Sequence, residues 1–326
     1  MTRRTDHFDG RRFFNPNGAN GQPFWALPRM LLTPWTRWPS EVSVEPRRPP
    51  DPGPDEVVAT FVGHATFLIR VAAINVLIDP VYSRRASPVS FAGPGRVRAP
   101  GVRFEDLPAI SLVLLSHNHY DHCDLRVLQL LERCFQPPVV TPIGNGRLLR
   151  SAGIVQIEEI DWWEHTSAAP LPITLTPAQH FSARGMFDRN GALWGGFLIE
   201  AGGHRILHAG DSGYGPHFRE IAARLGPIDL ALLPIGAYEP RWFMRDIHMN
   251  PAEAVQAHLD LEARQSIAMH FGTFQLTPEG IEEPVRELAR ALQERGVAVD
   301  RFRVVEVGES LRLGTGGSSH PGRMTG

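Results

Sequence analysis

From residue 57 onward the chain is a succession of short apolar runs punctuated by Gly, Pro, Asn and Asp. The runs at 57–62, 66–71, 75–78 and 111–115 have the length and bounding turn residues of strands. Helical spacing follows over 125–134, with Asp124 placed to cap it. The second half repeats this theme, with strands expected at 173–176, 193–200, 205–208, 230–233 and 266–269, and helices at 216–225, 251–261 and 278–294. Strict strand–helix alternation is not kept, and no short repeat is present, so the pattern predicts an α+β fold of two sheets packed face to face with helices outside. Residues 1–56 break the pattern. They hold ten prolines and eight arginines around Phe24, Trp25, Leu27, Met30, Leu31, Leu32, Trp35 and Trp38. This reads as an irregular extension rather than a separate domain, followed by one domain over 57–313 and a flexible tail over 314–326.

Composition adds boundaries. A chain of 326 residues can form one large core, and a net charge of -2 gives no reason to expect a nucleic-acid partner. All the basic residues are arginine, from which no function follows. Cys123 and Cys134 lie on one predicted helix, roughly 16 Å apart, which excludes a disulfide between them. With a polar opening segment, this points to a reducing cytoplasmic compartment. No apolar run approaches the ~20 residues of a membrane span. Peripheral contact at the inner face of a membrane is a separate expectation, because Trp25, Trp35 and Trp38 beside Arg29 and Arg37 suit a headgroup interface. The competing expectation is that these aromatics strap the core.

The chemistry concentrates after the run at 111–115. Ser116-His117-Asn118-His119-Tyr120-Asp121-His122 places three imidazoles and a carboxylate on one loop. Buried unpaired, such groups would pay desolvation and repel on protonation, and a divalent cation removes both penalties. Further donors stand after later strands: His180, Asp211 within His208-Ala209-Gly210-Asp211, and His270. Each alone fits a capping or core role, but their common position at strand ends points to a metal centre.

The His-x-His-x-Asp-His signature resembles the metallo-β-lactamase superfamily, whose αβ/βα four-layer sandwich carries two metals at one edge. Within it the chain is similar to the N-acylphosphatidylethanolamine-hydrolysing phospholipase D family, through Val62-Gly63-His64-Ala65-Thr66, Asp79-Pro80, residues 83–88, Asp161-Trp162-Trp163-Glu164, residues 234–244 and His270-Phe271-Gly272-Thr273-Phe274. The resemblance implies that His117, His119 and His180 hold one metal, that Asp121, His122 and His270 hold the other, and that Asp211 bridges them. Imidazole and carboxylate donors without thiolate favour Zn²⁺ and also admit Fe or Mn. Cys123 is then a buried thiol.

The implied reaction is hydrolysis of a phospholipid, N-acylphosphatidylethanolamine, to N-acylethanolamine and phosphatidic acid by a hydroxide shared between metals roughly 3.5–4 Å apart. Asp121 would orient that nucleophile, His248 would serve the reacting phosphate, and His64 would support the ligand loop. For His248 the competing reading is a surface residue at a helix entry. Other phosphodiesters, or a lactone, are the alternative substrates. The oligomeric state is open, a dimer included.

Overall fold

The computed structural model describes residues 5–166, 170–185 and 187–314. The tail expected beyond 314 therefore lies outside the described residues. The strands are β1 (Val57–Gly63), β2 (Thr66–Val71), β3 (Ile74–Ile78), β4 (Leu112–Leu114), β5 (Val139–Pro142), β6 (Ile157–Ile160), β7 (Ile173–Thr176), β8 (Gly196–Ala201), β9 (His204–His208), β10 (Leu230–Pro234), β11 (Gln265–Met269), β12 (Phe302–Arg303) and β13 (Ser310–Leu313). The helices are α1 (Leu27–Leu31), α2 (Leu125–Cys134), α3 (Gly146–Ser151), α4 (His217–Leu225), α5 (Arg241–Met244), α6 (Pro251–Asp260) and α7 (Glu283–Arg295).

One sheet runs β13-β1-β2-β3-β4-β5-β6, the other β12-β11-β10-β9-β8-β7. Strand periodicity explains the layering. On β2 to β5, Phe67, Ile69, Val76, Ile78, Leu112, Leu114 and Val140 face inward and join Leu175, Phe197, Ile199 and Ile206 of the second sheet. Their neighbours Leu68, Leu77, Val113 and Val139 face outward beneath Val127, Leu128 and Leu131 of α2. Both faces of the first sheet are thus covered, which is why its strands read as near-continuous apolar runs. The fold is the four-layer αβ/βα sandwich. Asp124 caps α2 as expected, accepting from Val127 N.

Most boundaries shift by a residue or two, and three differences from expectation have a clear cause. Helix α7 begins at Glu283 because Pro284, not Pro278, occupies its first turn, and Pro278 O instead accepts from Thr36 N of the extension. Strand β8 begins at Gly196, since residues 193–195 cross to the other sheet, where Gly195 N donates to Ser116 O. Cys123 precedes α2 rather than lying on it, and both cysteines are free thiols.

Much of the extension lies on the sandwich. His7 stacks on Trp162 and donates to Asp161 at 2.7 Å, and Phe13 enters the core. The Trp38 indole donates to Glu279 O. Trp25, Leu31, Leu32 and Trp35 stay exposed. Among the described residues no helix is long and apolar enough to cross a membrane.

Candidate metal centre

The strands deliver the site at one end of the sandwich. The loop after β4 carries His117, His119, Asp121 and His122, while His180 follows β7, Asp211 follows β9 and His270 follows β11. The backbone there is forced into uncommon conformations. His64, Asp79, Ala237 and His270 all have positive φ, a cost that tertiary packing must hold in place and that clusters at functional sites. Gly210, before Asp211, has φ +63, and a Cβ there would lie 2.6 Å from Gly195 O.

Two groups of four donors form, and Asp211, His248 and His270 make a smaller third that overlaps them. His117, His119, His180 and Asp211 offer atoms within 4.8 Å of one another, and so do His64, Asp121, His122 and His270. Asp211 joins the groups. Its Oδ2 lies 3.8 Å from His117 Nε2, 3.7 Å from His180 Nε2, 3.1 Å from His122 Nε2 and 3.1 Å from His270 Nε2. The seven residues implied as ligands are therefore brought to one place.

The rings are aimed by their other nitrogens. Asp79 at the end of β3 accepts from Ser116 N at 2.7 Å, from the Ser116 hydroxyl at 2.6 Å and from His122 Nδ1 at 2.7 Å. With its proton committed to Asp79, the Ser116 oxygen accepts from His117 Nδ1 at 2.9 Å. One buried carboxylate thus orients a ring in each group. His180 Nδ1 donates to Ile247 O at 2.9 Å, and Asn15 Nδ2 donates to His180 O at 2.9 Å. Such outer contacts fix which nitrogen faces a cation.

Electrostatics agree with a cation site. Burial holds His117 well below the ordinary histidine range, and takes His119 and His64 to about 3 and His180 to about 4, so these rings are neutral. Burial works against charge on Asp121 and Asp211 too, but the neighbouring His122 outweighs it and keeps both carboxylates ionised. His122 and His270 face both carboxylates, which outweigh burial and raise them, His270 to about 9. The carboxylate pair attracts positive charge. His122 Nε2 and Asp211 Oδ1 are buried without an aligned hydrogen bond, as expected of atoms that should face a cation rather than a proton donor. The residues present fit two divalent ions bound through nitrogen and oxygen.

Among the remaining expected residues, His64 Nε2 donates to Asp121 Oδ2 at 3.1 Å. His248 is buried, with Nε2 3.9 Å from Asp211 Oδ2 and Nδ1 unpaired, so the surface reading fails. Burial pushes its pKa well below 6.5, leaving a neutral imidazole. Cys123 is buried outside both donor groups, its thiol pushed up to about 12. Asp79 and Asn15 were not assigned from sequence. For Asp79 the signal was a carboxylate ending an apolar strand before Pro80; for Asn15, far away in sequence, there was none.

The sequence pattern of the β-lactamase superfamily domain matches residues 74–271. The chain belongs to the metallo-β-lactamase superfamily. Among curated relatives, an uncharacterized protein of Mycobacterium tuberculosis is 41% identical over 248 residues, covering 74% of this chain and 66% of that protein, so the match spans just under two thirds of its length. An N-acyl-phosphatidylethanolamine-hydrolyzing phospholipase D of Caenorhabditis elegans is 38% identical over 265 residues, covering 77% of this chain and 74% of its own. Among solved structures, a metallo hydrolase of the archaeon Ignicoccus hospitalis superposes with a TM-score of 0.59 at 25% identity, over 79% of this chain and 98% of that one.

Proposed function

We propose that the protein is a dinuclear metal-dependent phosphodiesterase of phospholipase D type, acting on N-acylphosphatidylethanolamine. The observation that supports this reading is Asp211 Oδ2, which stands within 3.8 Å of imidazoles from both donor groups and would be the ligand they share. Bound there, two divalent ions supply a water acidic enough to act near neutral pH and neutralise charge gathering on a phosphoryl oxygen. The likeness to the nematode phospholipase supports the substrate class. So does the surface beside the least buried ligand, His119. Phe181 meets its ring edge-on at 4.5 Å, Phe181, Phe243 and Leu276 pack against the buried cluster of Ala237, Met244 and Ile247, and Tyr120 packs against that of Val81, Ala86 and Phe274. This half-buried apolar collar suits an acyl chain better than a small polar diester.

The residues divide the work. Asp121, ionised and steadied by His64 and His270, accepts a hydrogen bond from the attacking water and orients it. His248, held neutral by burial, donates a hydrogen bond to the phosphoryl group rather than acting as a charged acid. Assaying N-acylphosphatidylethanolamine, a soluble phosphodiester and a lactone in parallel tests this. Faster turnover of the lipid is expected; cleavage of the lactone alone would sink the phosphodiesterase reading.

A further inference from the structure

A groove of about 660 Å³ lies outside the metal centre, walled by Trp38, Arg84, Arg85, Arg96 and Gln275. Three guanidinium groups line it, and among the described residues no carboxylate does. Arg85 is spent on its own loop, donating to Ser90 O and Gly93 O, and Arg96 donates to Ser83 O and Val81 O. Carbonyl partners leave the positive charge of Arg85 in place, whereas the buried Arg96 guanidinium also feels the nearby Asp124 carboxylate. The exposed Arg84 side chain makes no hydrogen bond or ion pair among the described residues. Arg84 and Arg85 therefore make the outer wall of the groove cationic, which favours a phosphate-bearing anion.

Its borders are apolar. Ser90 lines it, and the same loop tip carries Val89 and Phe91, the latter 81% exposed. Across the groove Gln275 Nε2 donates to Thr36 O, next to the exposed Trp35. Cations flanked by exposed aromatic rings are the chemistry of a membrane interface, where guanidinium groups meet headgroup phosphates and rings enter the acyl boundary. The position is also informative. Arg96 lies 4.7 Å over the Phe274 ring, which meets the His64 ring edge-on at 5.1 Å, so the groove is one ring removed from the residue that steadies Asp121.

We propose that this groove seats the phosphate of an anionic phospholipid headgroup, with Phe91 entering the bilayer surface, so that the protein docks with its metal centre at the membrane. The inference does not depend on which ester the metal centre cleaves. Full-length protein is mixed with vesicles of phosphatidylcholine alone, or with added phosphatidylglycerol, and the bound fraction is measured by sedimentation. Salt-sensitive binding to the anionic vesicles is expected. Arg84→Glu should weaken it by about tenfold or more, since a charge near an anionic surface matters several-fold and reversal counts twice. Phe91→Ser should weaken it separately. Both variants should keep wild-type metal content and wild-type hydrolysis of a soluble diester, which separates failure of docking from failure of the catalytic reading. Unchanged vesicle binding by Arg84→Glu overturns the proposal. Full displacement by inorganic phosphate with no effect of Phe91→Ser also overturns it, assigning the groove to a free anion.

Discussion

The two donor groups match in size but differ in how they are supported. The group of Asp121, His122 and His270 is carboxylate-rich: Asp121 and Asp211 both face it, and His122 is steadied directly by Asp79 from the core strand β3. The group of His117, His119 and His180 is mainly imidazole. Its support is less direct, passing through the Ser116 hydroxyl for His117 and through Ile247 O and Asn15 for His180. Asn15 belongs to the N-terminal extension, so one proposed metal position would rest on the core and the other would lean on the extension laid over it. The first should therefore hold its cation more firmly, through greater negative charge and stiffer ligands.

Removing the shared ligand should have the largest effect. Asp211→Ala is expected to lower occupancy of both positions and reduce hydrolysis to near background; retention of full metal and rate would break the bridge. Next, His248→Gln should lower kcat by about 10²–10⁴-fold with metal content intact. Because a neutral His248 donates a hydrogen bond rather than a proton, the loss should be similar for good and poor leaving groups. Recovery on substrates with acidic leaving groups would instead make it a general acid.

Asp79→Asn sharpens the comparison, since it removes the negative charge that backs His122 Nδ1 directly but touches His117 only through Ser116. Metal affinity should fall about 10–100-fold, more at the His122 position. Asn15→Ala should do the reverse, weakening the His180 position by about tenfold, as seen in chelator competition. Equal loss at both positions in these two variants would end the distinction.

How much of this was legible follows from where each residue sits. β2, α2 and β7 stand at their expected boundaries because apolar periodicity and a capping aspartate mark them locally. β5 was missed between Pro138 and its own terminal Pro142, and β6 because Ile157-Glu158-Glu159-Ile160 is a partly polar edge strand. The ligands were readable because each ends a strand. Asn15 was not, since its role exists only once residues 15 and 180 meet.

The smallest effect concerns the strap itself. Burial opposes a charged His7, but Asp161 and Asp6 outweigh it and raise its folded pKa above 6.5. The stability from a raised histidine is full below its unfolded pKa and is lost as pH rises through the folded value. His7→Ala should thus lower Tm at pH 6 by more than at pH 9, and equal losses would contradict a charged tether.

The bridge at Asp211 is tested most directly by counting metal ions per chain in active protein by elemental analysis, with Asp211→Ala measured alongside. About two ions per chain are expected in the wild type, with a clear deficit in the variant. One ion per chain in fully active wild type, or two retained by the variant, would contradict a shared carboxylate between two metals.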